Sequence, residues 1–329
     1  MIGPGGVLAQ GAAGRRRIDR PDAATVEDNW HIGSNTKAMT AALFAKLAEQ
    51  GKLAWGAKLP ALFPELTPDL GWGPVSIDDV LAHRSGISDA GIVTPLALRD
   101  WQLDPRPVRE QRAALAARLI TSRPNGRPGV FDYANLNYIL AGAIIERATG
   151  RAWEDVISAE LFQPLEMHTA GFGAPRGAAP WGHAANARGQ LEPVDPAGVA
   201  DNPPIFGPAG RVNVTIDDYA KFLQLFLADG AGFLKPASLA RLGRPWRGEA
   251  DAYAPGGWLT FAERAWAQGP VLAHEGSNTL WHCIALVAPV RQRAIVVMAN
   301  SEKGGAELCQ RLSIQLVQQY APAPPPPAA

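Results

Sequence analysis

The chain has 329 residues, 47% of them hydrophobic, and its 31 basic side chains balance 31 acidic ones. This length suffices for about two domains with a sizeable core. Because the charge is balanced, the composition does not indicate a nucleic-acid-binding surface. No run of about eighteen apolar residues marks a membrane span. Two cysteines are too few for a disulfide framework.

The N-terminal segment is short and rich in glycine. Residues 6–14, followed by the basic turn at residues 15–17, supply one strand at most. Residues 1–6 have neither a basic start nor an apolar core, so we predict no signal peptide and expect a cytoplasmic protein. If an N-terminal segment were missing from this sequence, a periplasmic location would be possible.

The next feature is Ser34-Asn35-Thr36-Lys37, which leads into an alanine-rich run at residues 38–48. Such a run strongly favours a helix, so Ser34 is predicted to open one. Residues three apart share one helix face, which places Ser34 within reach of Lys37. A serine hydroxyl needs a neighbouring base to become a nucleophile, and a lysine can serve when it is kept neutral. The spacing predicts acyl-transfer chemistry of the Ser/Lys type.

The middle of the chain, residues 57–206, is predicted to be helical with long connections rich in proline and glycine. It carries the second motif, Tyr133-Ala134-Asn135, at the start of another helical run. We expect this segment to form one lobe, inserted into a discontinuous sheet lobe made of residues 1–56 and 207–320.

The last third contains the strands and the third motif, His274-Glu275-Gly276-Ser277. Strands are predicted at residues 256–261, 271–274, 279–288 and 294–299, and a closing helix at residues 305–320. Residues 321–329 are rich in proline and alanine and are expected to be disordered. Because the motifs come from both lobes, the site is expected in the cleft between them.

The sequence lacks the motifs that are typical of other catalytic chemistries. The sequence has no zinc-protease, dinucleotide-binding, P-loop or nucleophile-elbow motif, so we expect neither a metal nor an organic cofactor. Cys283 and Cys309 are expected to be buried small side chains. The histidines outside the third motif are expected to be structural: His31, His83, His168, His183 and His282.

The three motifs together resemble those of the serine beta-lactamase and penicillin-binding-protein superfamily. The closer likeness is to its class C-like branch, whose second motif is Tyr-x-Asn and which includes beta-lactamases, D-alanyl-D-alanine peptidases, D-aminopeptidases and beta-lactamase-fold esterases. Residues 80–87, 131–150 and 207–220 are also similar to parts of that branch. The resemblance implies an α/β (α+β) fold of the beta-lactamase/transpeptidase type, in which a mainly antiparallel sheet flanked by helices carries an inserted all-helical lobe.

The resemblance also implies roles for the site residues. Ser34 would be the nucleophile, and Lys37 with Tyr133 would move its proton. Asn135 would position Lys37 and the substrate, and the backbone N–H groups of Ser34 and Ser277 would hold the oxyanion.

This chain departs from the family pattern in two places. His274 and Gly276 stand where the family usually has Lys-Thr-Gly, and histidine, mostly neutral at pH 7, attracts a substrate carboxylate less than lysine does. The short N-terminus implies that the family's first helix and first strand are absent. Either a partner covers the sheet edge, or the start codon is misplaced, or the fold tolerates the loss.

The predicted function is that of a serine hydrolase that forms an acyl-enzyme on an ester, an amide or a D-amino-acid peptide bond. One alternative is a true class C-like beta-lactamase or D-alanyl-D-alanine carboxypeptidase. Another is a cell-wall or lactam sensor that is acylated without turnover. The expected partner is a small-molecule or peptide substrate, and the sequence gives no indication of oligomeric state.

Overall fold

The computed structural model describes residues 1–321, so nearly all of the predicted tail at residues 321–329 lies outside the described part. The strands, numbered along the chain, are β1 (Ile2–Gly3), β2 (Gly6–Val7), β3 (Trp30–His31), β4 (Gly171–Phe172), β5 (His183–Ala185), β6 (Leu191–Pro193), β7 (Val212–Val214), β8 (Tyr253–Ala254), β9 (Trp258–Arg264), β10 (Gly269–Ser277), β11 (His282–Ala288) and β12 (Arg293–Ala299). Seven of these strands form the main antiparallel sheet, in the order β2-β1-β12-β11-β10-β9-β8.

The helices surround this sheet. They are α1 (Thr36–Glu49), α2 (Leu59–Leu62), α3 (Ile77–Leu81), α4 (Pro95–Leu103), α5 (Val108–Thr121), α6 (Asn135–Thr149), α7 (Trp153–Ile157), α8 (Gly207–Gly210), α9 (Ile216–Gln224), α10 (Pro236–Gly243) and α11 (Gly305–Tyr320). A small sheet of order β3-β7-β4 and the hairpin β5-β6 complete the fold.

Alternating side chains of β11 and β12 pack on opposite faces of the main sheet, as the period of two requires. Cys283, Ala285 and Val296 join the large core that contains α1, α6 and α9. Ile284 and Val297 join a second cluster under α11. The sheet is therefore covered by helices on both faces, and α1 lies in the middle of the larger core.

Most sequence predictions for the sheet and the last helix agree with the structure. The predicted antiparallel sheet with flanking helices is confirmed, and the closing helix spans the predicted residues. β11 begins at His282 rather than at residue 279, because Thr279 has φ of 78° and the Asn278 side chain accepts a hydrogen bond from the Trp281 N–H, which makes a turn. Both cysteines are buried and free.

The N-terminus differs from its prediction. Residues 1–31 contribute three two-residue strands, β1, β2 and β3, where the sequence predicted one strand at most. A glycine-rich segment has few side chains whose pattern could predict strands of only two residues. No helix precedes Ser34 within residues 1–32, all of which the structure describes.

In residues 57–206 the helices α2 to α7 alternate with long connections, which also contain the short strands β4, β5 and β6. Helices α5 and α6 from this segment share one apolar core with α1 and α9 from its two flanks. The division of the chain into two lobes stays a prediction.

Candidate active site

Ser34 lies in a 3-10 turn, Gly33–Asn35, between β3 and α1, so the helix proper begins two residues after Ser34. The residues between Ser34 and Lys37 hold this turn. The Asn35 amide donates to the carbonyl oxygens of Ile32 and Cys283, at 3.1 and 3.0 Å. The Thr36 hydroxyl donates to the Gly33 carbonyl at 2.8 Å. The turn that carries Ser34 is thereby fixed against β11, while Ser34 itself remains only partly buried.

Lys37 is fully buried, and its ammonium nitrogen contacts three oxygen atoms. Nζ lies 2.9 Å from Ser34 Oγ, 2.9 Å from Asn135 Oδ1 and 2.6 Å from the Ala209 carbonyl oxygen on α8. Burial lowers the pKa of Lys37 to about 7, although the charge of Asp89 acts in the opposite direction. A large share of Lys37 is therefore neutral near pH 7.

Asn135 is oriented by Asp89, a residue that the sequence analysis did not select. Asp89 Oδ2 accepts hydrogen bonds from the Asn135 N–H at 2.9 Å and from Asn135 Nδ2 at 3.0 Å, and Oδ1 accepts from the Leu136 N–H at 3.0 Å. Asp89 thus caps the N-terminus of α6 and turns the Asn135 amide oxygen toward Lys37.

Tyr133 lies two residues before the start of α6 and stands over Lys37, whose Nζ lies 4.9 Å from the centre of the phenol ring. Burial raises the pKa of Tyr133 above its ordinary value, and a hydrogen bond with Ser34 opposes part of that rise. The residue still exposes 39% of its surface, so the ring borders solvent. Tyr133 is a neutral phenol at neutral pH, beside the Ser34 hydroxyl.

The end of β10 packs directly on the turn that carries Ser34. A Cβ atom on Gly276 would lie 2.1 Å from the Ile32 carbonyl oxygen and 2.8 Å from the Ser34 nitrogen. Gly33, at φ of 52°, could not carry a side chain either, since its Cβ would lie 2.3 Å from the Ser277 nitrogen. Glycine at both positions lets the backbones of Ser34 and Ser277 approach closely.

His274 is buried beside this site, with both ring nitrogens engaged. Nδ1–H donates to the Glu275 carbonyl at 2.9 Å, and Nε2 accepts from the Tyr253 hydroxyl at 2.9 Å. Burial and the nearby charge of Lys37 lower the pKa of His274 to about 3. His274 is therefore a neutral ring within an aromatic cluster, 6.4 Å from the Tyr133 ring centre.

Two histidines that the sequence assigned to structure contact the site. The His83 ring lies 4.3 Å from the Tyr133 ring, and its Nδ1 accepts from the Ala134 N–H at 3.2 Å. Burial lowers the pKa of His83 well below its ordinary value. His31 Nδ1 accepts from the Gly33 N–H at 3.1 Å, one residue before Ser34. Neither contact could be predicted from the spacing of residues in the sequence.

The structure brings the predicted residues together in one place. Ser34, Lys37 and Asn135 are joined by hydrogen bonds, Tyr133 covers them, and the end of β10 lies against the turn that carries Ser34. A serine, a desolvated lysine and closely spaced backbone N–H groups can carry out acyl transfer. Among residues 1–321, no cluster of side chains suited to a metal ion occurs, and no helix is long and apolar enough to cross a membrane.

A match along nearly the whole chain shows its family. A family model described as "Beta-lactamase" matches residues 1–318, so this chain belongs to the beta-lactamase family, and its class is that of the serine hydrolases.

The chain is similar to proteins with different names within this family. The chain is 28% identical to penicillin-binding protein 4 of Amycolatopsis lactamdurans over 78% of this chain and 68% of that protein. It is 30% identical to esterase EstB of Burkholderia gladioli over 44% of this chain and 38% of that protein. An octameric penicillin-binding-protein homologue from Pyrococcus abyssi has a similar fold, with a TM-score of 0.77, 22% identity, and coverage of 98% of this chain and 74% of that one.

Proposed function

We propose that this protein hydrolyses esters, amides or D-amino-acid peptide bonds through an acyl-enzyme on Ser34, with a preference for substrates that carry no carboxylate. The observation that carries the proposal is the environment of Lys37 Nζ. A neutral amine has two N–H groups and one lone pair. The Ala209 carbonyl and Asn135 Oδ1 can only accept, so they take the two N–H groups and leave the lone pair facing Ser34 Oγ, 2.9 Å away.

The mechanism follows from these positions. Neutral Lys37 accepts the Ser34 proton as Oγ attacks the substrate carbonyl, and the backbone N–H groups of Ser34 and Ser277 stabilise the oxyanion. Tyr133, which is protonated at neutral pH, gives its proton to the leaving group and regains one from the Lys37 ammonium. Water then attacks the acyl-enzyme and releases the acyl group from Ser34, while Lys37 and Tyr133 move the proton of that water.

The substrate preference rests on His274. The strand position where the family pattern usually has lysine holds a neutral ring whose nitrogens already have partners. A carboxylate on a lactam or a terminal D-alanine would find no attracting charge there. The similarity to an esterase supports the same choice.

The pH dependence should follow the Lys37 pKa. We expect kcat/KM for a neutral nitrophenyl ester to rise about tenfold per pH unit below pH 7 and to level off above about 7, because only neutral Lys37 can accept a proton. His83 and His274 have lowered pKa values and would not produce this step. The measurement is a rate profile from pH 5 to 9, with folding followed by circular dichroism. A profile that falls through pH 7 would contradict the role of Lys37.

A charge placed at residue 274 should shift the substrate choice. We expect His274→Lys to raise the turnover of a chromogenic cephalosporin relative to a neutral ester, since a cation would attract the lactam carboxylate. His274→Gln is the matched neutral control and should leave the ratio near that of the wild type. Each ratio is taken within one preparation because either substitution removes the Tyr253 hydrogen bond. If the ratio of cephalosporin to ester turnover in His274→Lys equals that of the wild type, the electrostatic argument is contradicted.

The proposed function is tested by a substrate panel of short-chain nitrophenyl esters, D-amino-acid amides, D-Ala-D-Ala peptides and a chromogenic cephalosporin. We expect the neutral substrates to be hydrolysed faster than the carboxylate-bearing ones. A cephalosporin hydrolysed far faster than every ester would instead identify a beta-lactamase. A stable acyl adduct on Ser34 without turnover would identify a sensor.

A further inference from the structure

Asp201 lies in the connection between β6 and α8, and its carboxylate is almost completely buried. Oδ2 accepts from His31 Nε2–H at 3.1 Å and from Arg211 Nε–H at 3.1 Å. Oδ1 accepts from Asn278 Nδ2 at 3.0 Å and from the Asn202 N–H at 2.8 Å. One carboxylate thus joins three distant segments of the chain.

Each of these partners lies next to a component of the site. His31 Nδ1 accepts from the Gly33 N–H at 3.1 Å, which fixes the residue before Ser34. Asn278 directly follows Ser277 at the end of β10. Arg211 follows α8, whose Ala209 carbonyl accepts the Lys37 hydrogen bond at 2.6 Å.

The protonation states in this network are set by its geometry. His31 Nδ1 accepts a backbone N–H, so the ring donates to Asp201 through Nε2–H. Burial alone would raise the pKa of Asp201, but contacts with His31, Arg211 and Asn278 lower it to about 2. Asp201 therefore stays ionised, and both oxygen atoms of its carboxylate accept hydrogen bonds.

We propose that Asp201 is a positioning residue that sets the distance between the Ser34 turn and the end of β10, and thereby aligns the two backbone N–H groups of the oxyanion hole. This role rests on the proposed acyl-transfer function. Asp201 touches neither the substrate nor Ser34, so its effect is exerted through His31 and Asn278. Because transition-state stabilisation depends on donor placement, a small displacement of either segment slows the reaction.

The test is the substitution Asp201→Asn, which keeps the size of the side chain but places an NH2 group against donors. We expect kcat/KM for nitrophenyl butyrate to fall about 10- to 100-fold. Affinity for a phenylboronic acid, which forms a tetrahedral adduct with a nucleophilic serine, should fall by a similar factor. KM should change by less than about threefold, since ground-state binding does not use the oxyanion hole.

The matched control is Asp218→Asn. Asp218 is also buried and accepts hydrogen bonds from the Thr169 backbone and hydroxyl and from Lys221, none of which belongs to the site. It should lose thermal stability while keeping the boronate affinity. If Asp201→Asn does not fold, Asn278→Ala breaks the same network from the end of β10 and should lower both the rate and the boronate affinity by a smaller factor.

The outcomes separate the two proposals. A wild-type protein that neither hydrolyses the ester nor binds the boronate contradicts the proposed function. A wild-type protein that does both, with rate and boronate affinity in Asp201→Asn within about twofold of it, contradicts the positioning role alone. Equal losses in Asp201→Asn and Asp218→Asn would also overturn that role, because they would show a general effect on folding.

Discussion

Replacing Ser34 with alanine should lower turnover by a factor on the order of 10⁶, the scale seen when a serine nucleophile is removed from a catalytic unit. The reason is that no acyl-enzyme can form without Oγ, while Lys37 and the backbone donors are left with nothing to activate. The assay is hydrolysis of a short-chain nitrophenyl ester. A fluorophosphonate probe should add its mass to the wild-type peptide that contains Ser34 and should leave the Ser34→Ala protein unlabelled.

Ser313→Ala is the control for this experiment. Ser313 is buried in α11, where its hydroxyl donates to the Cys309 carbonyl at 2.8 Å, on the other face of the sheet from α1. It should retain labelling and turnover. Labelling that persists in Ser34→Ala would show that another residue is the nucleophile.

Lys37→Ala and Tyr133→Phe should each lower kcat/KM by a factor of about 10² to 10⁴, the usual range for loss of general acid–base catalysis. The two side chains share one proton transfer around Ser34, with Lys37 Nζ 4.9 Å from the Tyr133 ring centre. The double variant should therefore be little slower than the slower single variant. The measurement is steady-state ester hydrolysis by all four proteins.

Lys46→Ala provides the control on the same helix. Its ammonium donates to the Phe233 carbonyl at 2.8 Å, away from the site. Its rate should stay within about twofold of the wild type. Effects of Lys37→Ala and Tyr133→Phe that multiply in the double variant would show that the residues act in separate steps.

The parts of the site that depend on local spacing were predictable from sequence. Ser34 and Lys37 are three residues apart where a 3-10 turn leads into an alanine-rich helix, and this spacing puts both side chains on one face. Apolar runs bounded by turn residues predicted the central strands, whereas the register between β10 and β11, with Gly276 opposite Cys283, required the structure.

The parts that depend on distant contacts left no such signal. The Ala209 carbonyl that binds Lys37 is a backbone atom, so its residue type carries no information. Asp89 and Asp201 lie in loops where an acidic side chain is ordinary, and only the fold shows that one orients Asn135 and the other bonds to His31. For His274, the sequence predicted a mostly neutral ring. Its burial and the nearby charge of Lys37, which keep it neutral well below pH 7, and its Tyr253 partner required the structure.

The most direct test is to trap the covalent intermediate. The wild-type protein is mixed with nitrophenyl butyrate, quenched with acid during turnover, digested, and examined by mass spectrometry for a butyryl group. We expect the group on the peptide that contains Ser34, on the Ser34 hydroxyl, and we expect less of it as the ester is consumed. A butyryl group on any other residue, or steady turnover with no acylated peptide, would contradict catalysis through an acyl-enzyme on Ser34.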